Sequence, residues 1–373
     1  MEDALTRAAA RLETWCRDAV LPFWAGVQES SGAWPECLHL DGTPDRPRIR
    51  RHRVQARQVF SYALATRLGW YDGREVVRSG VDFMWRAGRQ GGGPGPETGL
   101  LHRLNADGTP ADTRRDLYDH AFYLLALGWA EATIGGQGGR LRDLTAFLDS
   151  LVHPAGGYRE GVPATLPRRQ NPHMHLFETC LSLHGLGVEG DWLRRAKDLH
   201  ALFESHFFDP SRRIIREHFS ESWQWDGGNA EPGHAVEWVW LLREYEGLTG
   251  IDTRPRRDAL YGSALLSGAV WLLDGTTPEG DSVRETSRLW VQTELVKAHV
   301  AQARSGVPGA RGMAAAAVDG LLADWLHPDG TWTDQRGACG QRISDTVPAS
   351  TLYHILLMAS EVAELTRERP AAL

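Results

Sequence analysis

The fold of this chain is decided by a polar helix start, Arg169–Glu178, which reads RQNPHMHLFE. Two stretches of the same kind lie about sixty residues away on either side, Asp116–Phe122 (DLYDHAF) and Glu231–Trp238 (EPGHAVEW). Each is a polar entry into an apolar run with helical periodicity. The regular spacing predicts an internal repeat whose equivalent helix starts converge on one site.

Hydrophobic periodicity extends this pattern over the whole chain. The predicted helices are Asp3–Trp24, Arg51–Trp70, Arg74–Ala87, Arg114–Thr133, Leu141–Val152, Pro172–Leu186, Asp191–Phe208, Pro232–Leu248, Arg254–Leu273, Thr286–Ala303, Gly309–Leu326 and Pro348–Leu365. Helices that follow long connections start near residues 51, 114, 172, 232, 286 and 348. The repeating unit is therefore a helical hairpin present six times, and six hairpins can close into a ring with an inner and an outer layer.

The leading fold is accordingly all-α, an (α/α)6 barrel (toroid) of twelve helices that forms a single catalytic domain over residues 1–373. An open α-solenoid is the alternative. The long connections repeat Asp-Gly and Pro turn signals, which predict short β-hairpin loops at one end of the barrel. These signals lie in Leu40–Pro44, Asp107–Pro110, Asp274–Gly280 and His327–Trp332, while Arg213–Glu217 alternates like a short strand and Gly88–Pro96 ends the third helix.

Composition excludes several functional classes. A net charge of -7 and a pI near 6.1 provide no broad basic surface for nucleic acid or anionic lipid. The arginine run Arg46–Arg53 is interpreted as a solvated loop. The start of the chain lacks a signal-peptide pattern, and no apolar run is long enough to span a bilayer, so a cytoplasmic protein is expected. The 4 cysteines are scattered, which is not typical of a zinc site or a disulfide framework.

Polar residues near the six inner helix starts are the candidate site, because one end of a toroid forms a concave floor. They are Arg57, Tyr118, Asp119, Asn171, His175, His234, Glu237, Trp290, Glu294 and His354. The 15 tryptophans would fill the core and also supply a sugar-stacking surface.

Each candidate also has a structural interpretation. His234 and Glu237 share a helix face, so the carboxylate can orient the imidazole, although a capping pair is equally simple. His354 lies among large apolar residues, as a core histidine does. Arg57 could stabilise an oxyanion or pair with an acid. His173 and His175 are two apart and cannot easily chelate one ion, so no metal is expected.

Histidines and an arginine around one hollow, with no nucleotide fingerprint and no Gly-x-Ser-x-Gly motif, indicate proton transfer without a cofactor. Abstraction of an acidic C–H next to a carbonyl is the natural reaction for such a set of groups.

Four segments resemble the N-acylglucosamine 2-epimerase superfamily: Asp116–Phe122, Asn171–Glu178, Glu231–Trp238 and Arg288–Glu294 (RLWVQTE). The resemblance implies an (α/α)6 barrel that acts on the reducing end of a sugar without a redox cofactor. It implies that His354 takes the C2 proton and that His234, supported by Glu237, is the second acid/base group. It further implies that His175 and Arg57 assist ring opening and hold O1 or O2 of a cis-enediolate.

The segment Pro348–His354 (PASTLYH) is similar to that of bacterial mannose isomerases, so D-mannose and D-fructose are the expected pair, with lyxose and xylulose as related sugars. Tyr118, Asp119, Asn171, Trp290 and Glu294 are then expected to bind the monosaccharide. Three alternatives remain: a mannose or cellobiose 2-epimerase, a glycoside hydrolase, which would draw a carboxylate pair from Asp119, Glu231, Glu237 and Glu294, and a non-catalytic binding protein. Either a monomer or a homodimer is expected.

Overall fold

The computed structural model describes residues 3–90, 99–266 and 271–368, and helices dominate it. They are α1 (Ala4–Trp15), α2 (Leu21–Val27), α3 (His52–Arg67), α4 (Arg74–Gly88), α5 (Leu117–Ile134), α6 (Gly138–Ser150), α7 (Gln170–Gly185), α8 (Trp192–Leu202), α9 (Pro232–Thr249), α10 (Arg254–Leu265), α11 (Leu289–Arg304), α12 (Ala310–Asp324) and α13 (Leu352–Arg367). A π-helical segment, Cys16–Val20, joins α1 to α2. These two helices and this segment therefore act as one continuous element.

The helices form two concentric layers. In the inner layer, α3, α5, α7, α9, α11 and α13 pack against one another in that order, and α13 packs against α3, so the ring is closed. The outer helices α4, α6, α8, α10 and α12 each pack on the inner helix that precedes them, and α1 packs on α13. This arrangement confirms the (α/α)6 toroid and excludes the open solenoid.

Sequence character explains which layer each helix joins. Inner helix α5 is buried on nearly every side, and its sequence is apolar almost all round. Outer helices are amphipathic: α4 buries Val77, Gly80, Val81 and Met84 at helical spacing and exposes charged residues on the opposite side.

The predicted helix bounds agree with the structure to within a few residues at most ends. The helix predicted over Arg254–Leu273 is shorter, because α10 ends at Leu265. Residues 267–270, and most of the predicted stop Gly88–Pro96, lie outside the described residues. At the end of α8, the chain continues as a π-helical segment, Phe203–Phe207, before it becomes extended.

Short antiparallel strands decorate the end of the barrel where the inner helices begin. They are β1 (Cys37–His39), β2 (Arg50–Arg51), β3 (Arg103–Leu104), β4 (Pro110–Asp112), β5 (Arg115–Asp116), β6 (Gly161–Val162), β7 (Arg168–Arg169), β8 (Phe208–Asp209), β9 (Ile214–Ile215), β10 (His218–Phe219), β11 (Gly275–Thr276), β12 (Ser282–Arg284), β13 (Ser287–Arg288), β14 (Gln335–Arg336) and β15 (Thr346–Pro348). The hairpin β3–β4 contains the predicted Asp107–Pro110 turn, and β11–β12 contains the Asp274–Gly280 turn. These two of the four predicted turns thus form hairpins, and isolated antiparallel bridges, Leu38 to Pro44 and Leu326 to Trp332, close the other two.

Pairing between connections fixes the rim of the barrel. Strands β2, β5, β7 and β13 lead directly into α3, α5, α7 and α11, and they pair with β3, β6, β10 and β14. The starts of these four inner helices are therefore held by hydrogen bonds to a neighbouring connection. Among the helices that the structure describes, none is both long and apolar enough to cross a membrane.

Candidate active site

A polar cavity of about 340 Å³ opens at the strand-decorated end of the barrel. Its wall includes the predicted residues Arg57, Tyr118, Asn171, His175, His234, Glu237, Trp290 and His354, together with Arg51, Glu231, Arg288, Asp334, Pro348, Ser350 and Thr351. All six inner helices contribute a predicted residue from near their first turns. The structure thus brings together side chains that are up to three hundred residues apart in sequence, as the repeat predicted.

His234 is held by Glu217 rather than by Glu237. Its Nδ1 lies 2.9 and 3.0 Å from the two carboxylate oxygens of Glu217, which directly precedes β10. The prediction that Glu237 orients His234 is therefore corrected. Strand β10 pairs with β7 at the start of α7, and the Gln170 side chain also donates to Glu217, at 2.9 Å. These contacts fix the carboxylate beside the imidazole.

Carboxylates surround His234 and keep it protonated. Burial by itself lowers the pKa of His234, but Glu217, Glu231 and Glu237 outweigh it and raise this pKa to about 9. The imidazolium has a second donor, Nε2–H, and the amide of Asn171 lies 3.2 Å from Nε2. The buried amide oxygen of Asn171 has no hydrogen-bond partner among the described residues. Turning this amide by 180° presents that oxygen to Nε2–H.

His354 makes a similar contact in a different electrostatic environment. Its Nδ1 lies 2.8 Å from Oε1 of Glu294, which is fully buried. Burial, together with the positive charges of Arg57 and Lys297, holds the pKa of His354 well below its usual range. His354 is therefore neutral: its Nδ1–H donates to Glu294, and its Nε2 lone pair is free to accept a proton.

His175 forms the third histidine–glutamate pair of the site. Its Nδ1 lies 2.9 Å from Oε2 of Glu178, one helical turn along α7, and the other oxygen of Glu178 accepts from the Tyr353 hydroxyl. Burial lowers the pKa of His175 to about 4, so it too is neutral. The nearby His173 faces away from the cavity: it bonds the backbone oxygen of Arg169 and the backbone N–H of Tyr158.

Arg57 has a guanidinium that is not neutralised by an acid. It donates to the Tyr118 hydroxyl at 2.8 Å and to the backbone oxygen of Ser350 at 3.4 Å, and it lies 4.1 Å from the centre of the Phe122 ring. Within the part of the chain that the structure describes, no carboxylate lies within 4 Å of it. The alternative that Arg57 pairs with an acid is thereby excluded, and its charge faces the cavity.

Glu237 lies on the floor of the cavity between two of the histidines. Neither carboxyl oxygen has a hydrogen-bond partner among the described residues, and Oε1 lies 3.8 Å from Nδ1 of His175. Burial and the nearby Glu294 raise the pKa of Glu237 well above its ordinary value. Burial of this carboxyl group therefore favours its protonated form.

Asp119 and Glu294 were predicted to bind substrate, but both lie behind the cavity wall. Asp119 is fully buried and pairs with Nη1 of Arg53 at 2.9 Å and with Nδ1 of His102 at 2.6 Å. Burial by itself raises the pKa of Asp119, but Arg53 and His102 outweigh burial and lower this pKa to about 2. Asp119 therefore anchors other side chains, and Glu294 anchors His354. These positions correct the prediction of direct substrate contact.

The arginine run Arg46–Arg53 is only partly solvated, which corrects its interpretation as a loop in solvent. Arg46 and Arg48 are exposed, whereas Arg50 is buried, Arg51 lines the cavity and Arg53 pairs with Asp119. The run therefore belongs to the rim.

Three arginines at the rim follow one geometric rule that sequence reasoning missed. Arg51, Arg169 and Arg288 each directly precede an inner helix, and each uses its backbone N–H and its Nε to bond one carboxylate from the preceding connection. The three carboxylates are Glu36, Glu160 and Asp274. An arginine in front of alternate inner helices is the sequence signal that would have revealed this arrangement.

Each rim arginine also reaches the start of the neighbouring inner helix through Nη2. Arg169 lies 3.4 Å from Asp116, and Arg288 lies 3.4 Å from Glu231. At the third position Arg51 meets the hydroxyl of Ser350, also at 3.4 Å. Arg51 thus faces a neutral partner where the other two face a carboxylate.

Histidine and glutamate side chains of the floor lie close enough to be compared with a metal site. Two groups have ligand atoms within 4.8 Å of one another: His175 with Glu178 and Glu237, and His354 with Glu237 and Glu294. In both groups the histidine Nδ1 already bonds a glutamate, and the ammonium of Lys297 lies 2.6 Å from Glu294. The Lys297 ammonium therefore already supplies a positive charge beside Glu294. The absence of a metal stays a prediction.

Comparison with known proteins identifies the family. The sequence model described as N-acylglucosamine 2-epimerase (GlcNAc 2-epimerase) matches residues 33–358. This chain belongs to that family. It is 34% identical over 390 residues, 95% of this chain and 97% of the relative, to a protein named mannose-6-phosphate isomerase of Rhizobium meliloti (strain 1021).

Two solved structures of the family share the fold. A cellobiose 2-epimerase from Spirochaeta thermophila DSM 6192 superposes with a TM-score of 0.87 at 19% identity, over 98% of both chains. A D-mannose isomerase superposes with a TM-score of 0.83 at 19% identity, over 96% of this chain and 97% of the other. At this identity the likeness concerns the fold alone. The family membership makes the chain a sugar isomerase or epimerase.

Proposed function

We propose that this protein is an aldose–ketose isomerase that interconverts D-mannose and D-fructose through a cis-enediolate. The observation that carries the proposal is the pair of histidines on one cavity, each held by a glutamate through Nδ1, with surroundings that favour the neutral form of His354 and the charged form of His234. A neutral imidazole accepts a proton from carbon, and an imidazolium donates one to oxygen.

The proposed reaction begins with the opening of the sugar ring, which gives the open-chain aldose. His175 and Arg57 assist ring opening, because one is a neutral imidazole and the other an unpaired guanidinium on the same wall. Nε2 of His354 then removes the C2 proton, the C2–H electrons form the C1–C2 double bond, and the π electrons of the C1–O1 carbonyl move onto O1 to give the enediolate. His234 gives its Nε2 proton to O1, and Arg57 stabilises the charge that develops on oxygen.

The second half of the reaction returns both protons. The His354 imidazolium delivers its proton to C1, while the O2 hydroxyl gives its proton to the now neutral His234 and C2–O2 becomes the ketone. His354 has moved a proton from C2 to C1, and His234 has moved one from O2 to O1. Both side chains recover their starting states, so the cycle is balanced without a redox cofactor.

Trp290 supports a sugar as the substrate. Its ring centre lies 5.5 Å from that of His234 and 5.7 Å from that of His354, so the indole lies near both acid/base groups. An indole face of this kind packs against the C–H face of a pyranose or an open-chain sugar. The name of the relative that matches nearly the whole chain, mannose-6-phosphate isomerase, favours mannose over a disaccharide.

A 2-epimerase remains a second candidate, because the same two histidines serve it. If the His234 imidazolium protonated C2 on the face opposite His354, the product would be glucose instead of fructose. The cellobiose 2-epimerase fold and the Nε2–H of His234 favour this candidate.

The phosphorylated sugar is a candidate form of the substrate because of Arg51. Its guanidinium lines the cavity and meets the Ser350 hydroxyl, where the equivalent rim arginines meet carboxylates. A phosphate on the sugar would complete that contact.

One experiment separates these outcomes. The purified protein is incubated in deuterated buffer with mannose, mannose 6-phosphate or cellobiose, and the products are followed by NMR. The proposal expects a ketose, with deuterium at C1 in those turnovers in which the His354 imidazolium exchanges with solvent before it returns the proton, and the epimerase would give an aldose with deuterium at C2. Cleavage of cellobiose would indicate a hydrolase, and no reaction with any sugar would overturn the proposal. His354→Asn is the control for adventitious base catalysis.

A further inference from the structure

A fully buried lysine lies directly beneath the candidate site. Lys297 follows Glu294 by one helical turn on α11, and its Nζ lies 2.6 Å from Oε2 of Glu294. On its other side Nζ lies 3.7 Å from the centre of the Trp240 ring. Lys297 and Glu294 are both 0% exposed. Placing an ammonium group this deep is costly unless its neighbours compensate.

The neighbours of Lys297 are three glutamates that come from three inner helices. Burial lowers the pKa of Lys297, but Glu294 on α11, Glu237 on α9 and Glu178 on α7 raise it more, so it remains charged. Two of these glutamates, Glu178 and Glu294, bond the histidines His175 and His354. Lys297 therefore pairs with Glu294, the support of His354, and is affected by the charge of Glu178, the support of His175, without lining the cavity itself.

Stability alone does not explain this arrangement. A buried ion pair contributes little more than well-packed apolar side chains of the same volume, and it is often less stabilising. The rest of the core shows the simpler solution, since a large cluster of buried apolar residues from both helical layers packs together there. The buried charges of Lys297 and its glutamate neighbours therefore indicate a role in the chemistry of the site.

We propose that Lys297 is a positioning residue that holds Glu294 as a carboxylate, so that His354 keeps its Nδ1 protonated and presents a free Nε2 to the sugar. This inference rests on the proposed function, in which His354 is the base. It adds a residue that never touches substrate and that acts through Glu294.

The geometry gives the consequence of removing the ammonium. Without Lys297, the buried Glu294 takes up a proton and becomes a donor toward His354. Nδ1 must then accept, the imidazole proton moves to Nε2, and the lone pair no longer faces the cavity. The charged and titratable groups that face His354 are Arg57 from α3, His175 and Glu178 from α7, Glu237 from α9, and Glu294 and Lys297 from α11.

The test compares Lys297→Met with the exposed control Lys197→Met. Methionine matches the length of the lysine stem but removes the charge. We expect Lys297→Met to lower kcat by about 10²-fold or more with KM within about threefold, because proton transfer is lost and binding is not. We also expect the acidic limb of kcat/KM to move to higher pH. Lys197→Met should match the wild type.

A charge-balanced double variant separates chemistry from folding. Lys297→Met with Glu294→Gln removes both charges, so the melting temperature should recover toward the wild-type value even if Lys297→Met alone is unstable. A positioning role predicts that kcat stays low in the double variant, because glutamine does not fix the His354 tautomer. Recovery of kcat together with stability would overturn the inference, as would wild-type kcat and pH dependence in Lys297→Met.

A spectroscopic readout keeps this inference distinct from the proposed function. NMR of protein labelled with ¹⁵N in histidine reports the tautomer of His354 without any substrate. In the wild type, Nδ1 should carry the proton at neutral pH, and in Lys297→Met the Nε2 tautomer should appear. If the labelled wild type shows the Nδ1 tautomer but no sugar reacts, the proposed function fails and the inference on the tautomer holds. An unchanged tautomer in Lys297→Met overturns the inference.

Discussion

Two histidines that line the same cavity each pair with a glutamate at nearly the same distance, and yet one is charged and the other neutral. His234 lies 2.9 Å from Glu217, and His354 lies 2.8 Å from Glu294. His234 has the further acids Glu231 and Glu237 around it, whereas His354 has Arg57 and Lys297. The comparison teaches that the partner carboxylate fixes the orientation of an imidazole, while the outer ring of charges decides whether it is an acid or a base.

The largest effect is expected from His354→Asn. Asparagine occupies a similar volume and can still accept or donate one hydrogen bond, but it cannot take a proton from carbon. We expect kcat to fall by about 10³-fold or more with little change in KM. The measurement is the NMR rate of product formation at saturating mannose. A loss of less than about tenfold would show that another group is the base.

The next effect is expected from Glu217→Gln, which weakens the negative surroundings of His234. With one carboxylate removed, the pKa of His234 falls from about 9 toward its ordinary value, so the acid form is lost at lower pH. We expect the alkaline limb of kcat/KM to move down by about one to two pH units and the rate at pH 8 to fall by about 10-fold or more. An unchanged alkaline limb would contradict the assignment of His234. Glu221→Gln, an exposed residue of the same loop, is the control.

The charge on His234 should also make the free energy of unfolding of the wild-type protein depend on pH. Its folded-state pKa is raised above the unfolded value of about 6.5, so its contribution is fully present below pH 6.5 and is lost as pH rises through about 9. The free energy of unfolding, measured with urea, should fall between pH 7 and pH 9.5. This fall should be smaller in His234→Gln, and an equal fall in both proteins would contradict the assignment.

The smallest effect on catalysis is expected from His173→Asn. His173 is as buried as the site histidines, and burial lowers its pKa to about 3, but its partners are backbone groups. We expect a loss of about 1 to 3 kcal/mol in the free energy of unfolding and a kcat within about threefold of the wild type. A large loss of kcat in the folded variant would show that burial alone, and not the glutamate pair, marks the functional histidines.

The periodicity of the sequence was sufficient to predict the closed ring of helices and most of the residues that line the cavity. Residues such as His175, Trp290 and His354 lie near the first turns of inner helices, where the helical phase decides which side chains face the axis. Phase also explains the two errors at Asp119 and Glu294. Asp119 is rotated by about 100° from the cavity-facing Tyr118, and Glu294 lies one turn deeper than Trp290.

The partner of His234 could not be predicted in the same way. Glu217 lies in the connection between α8 and α9, where no periodic pattern relates it to a helix face, and only the pairing of β10 with β7 brings it to the imidazole. The simple spacing of His234 and Glu237 along α9 suggested a wrong partner. The same applies to Lys297, whose role depends on glutamates from three helices.

The most direct test of the different protonation states of His234 and His354 is a pH titration of the protein labelled with ¹⁵N in histidine, with His234→Gln and His354→Asn used to assign the signals. We predict that His234 titrates near pH 9 and that His354 is still neutral at pH 6.5, where an ordinary histidine is half protonated. If both histidines titrated together near pH 6.5, the two pairs would be electrostatically equivalent, and the division into acid and base would be wrong.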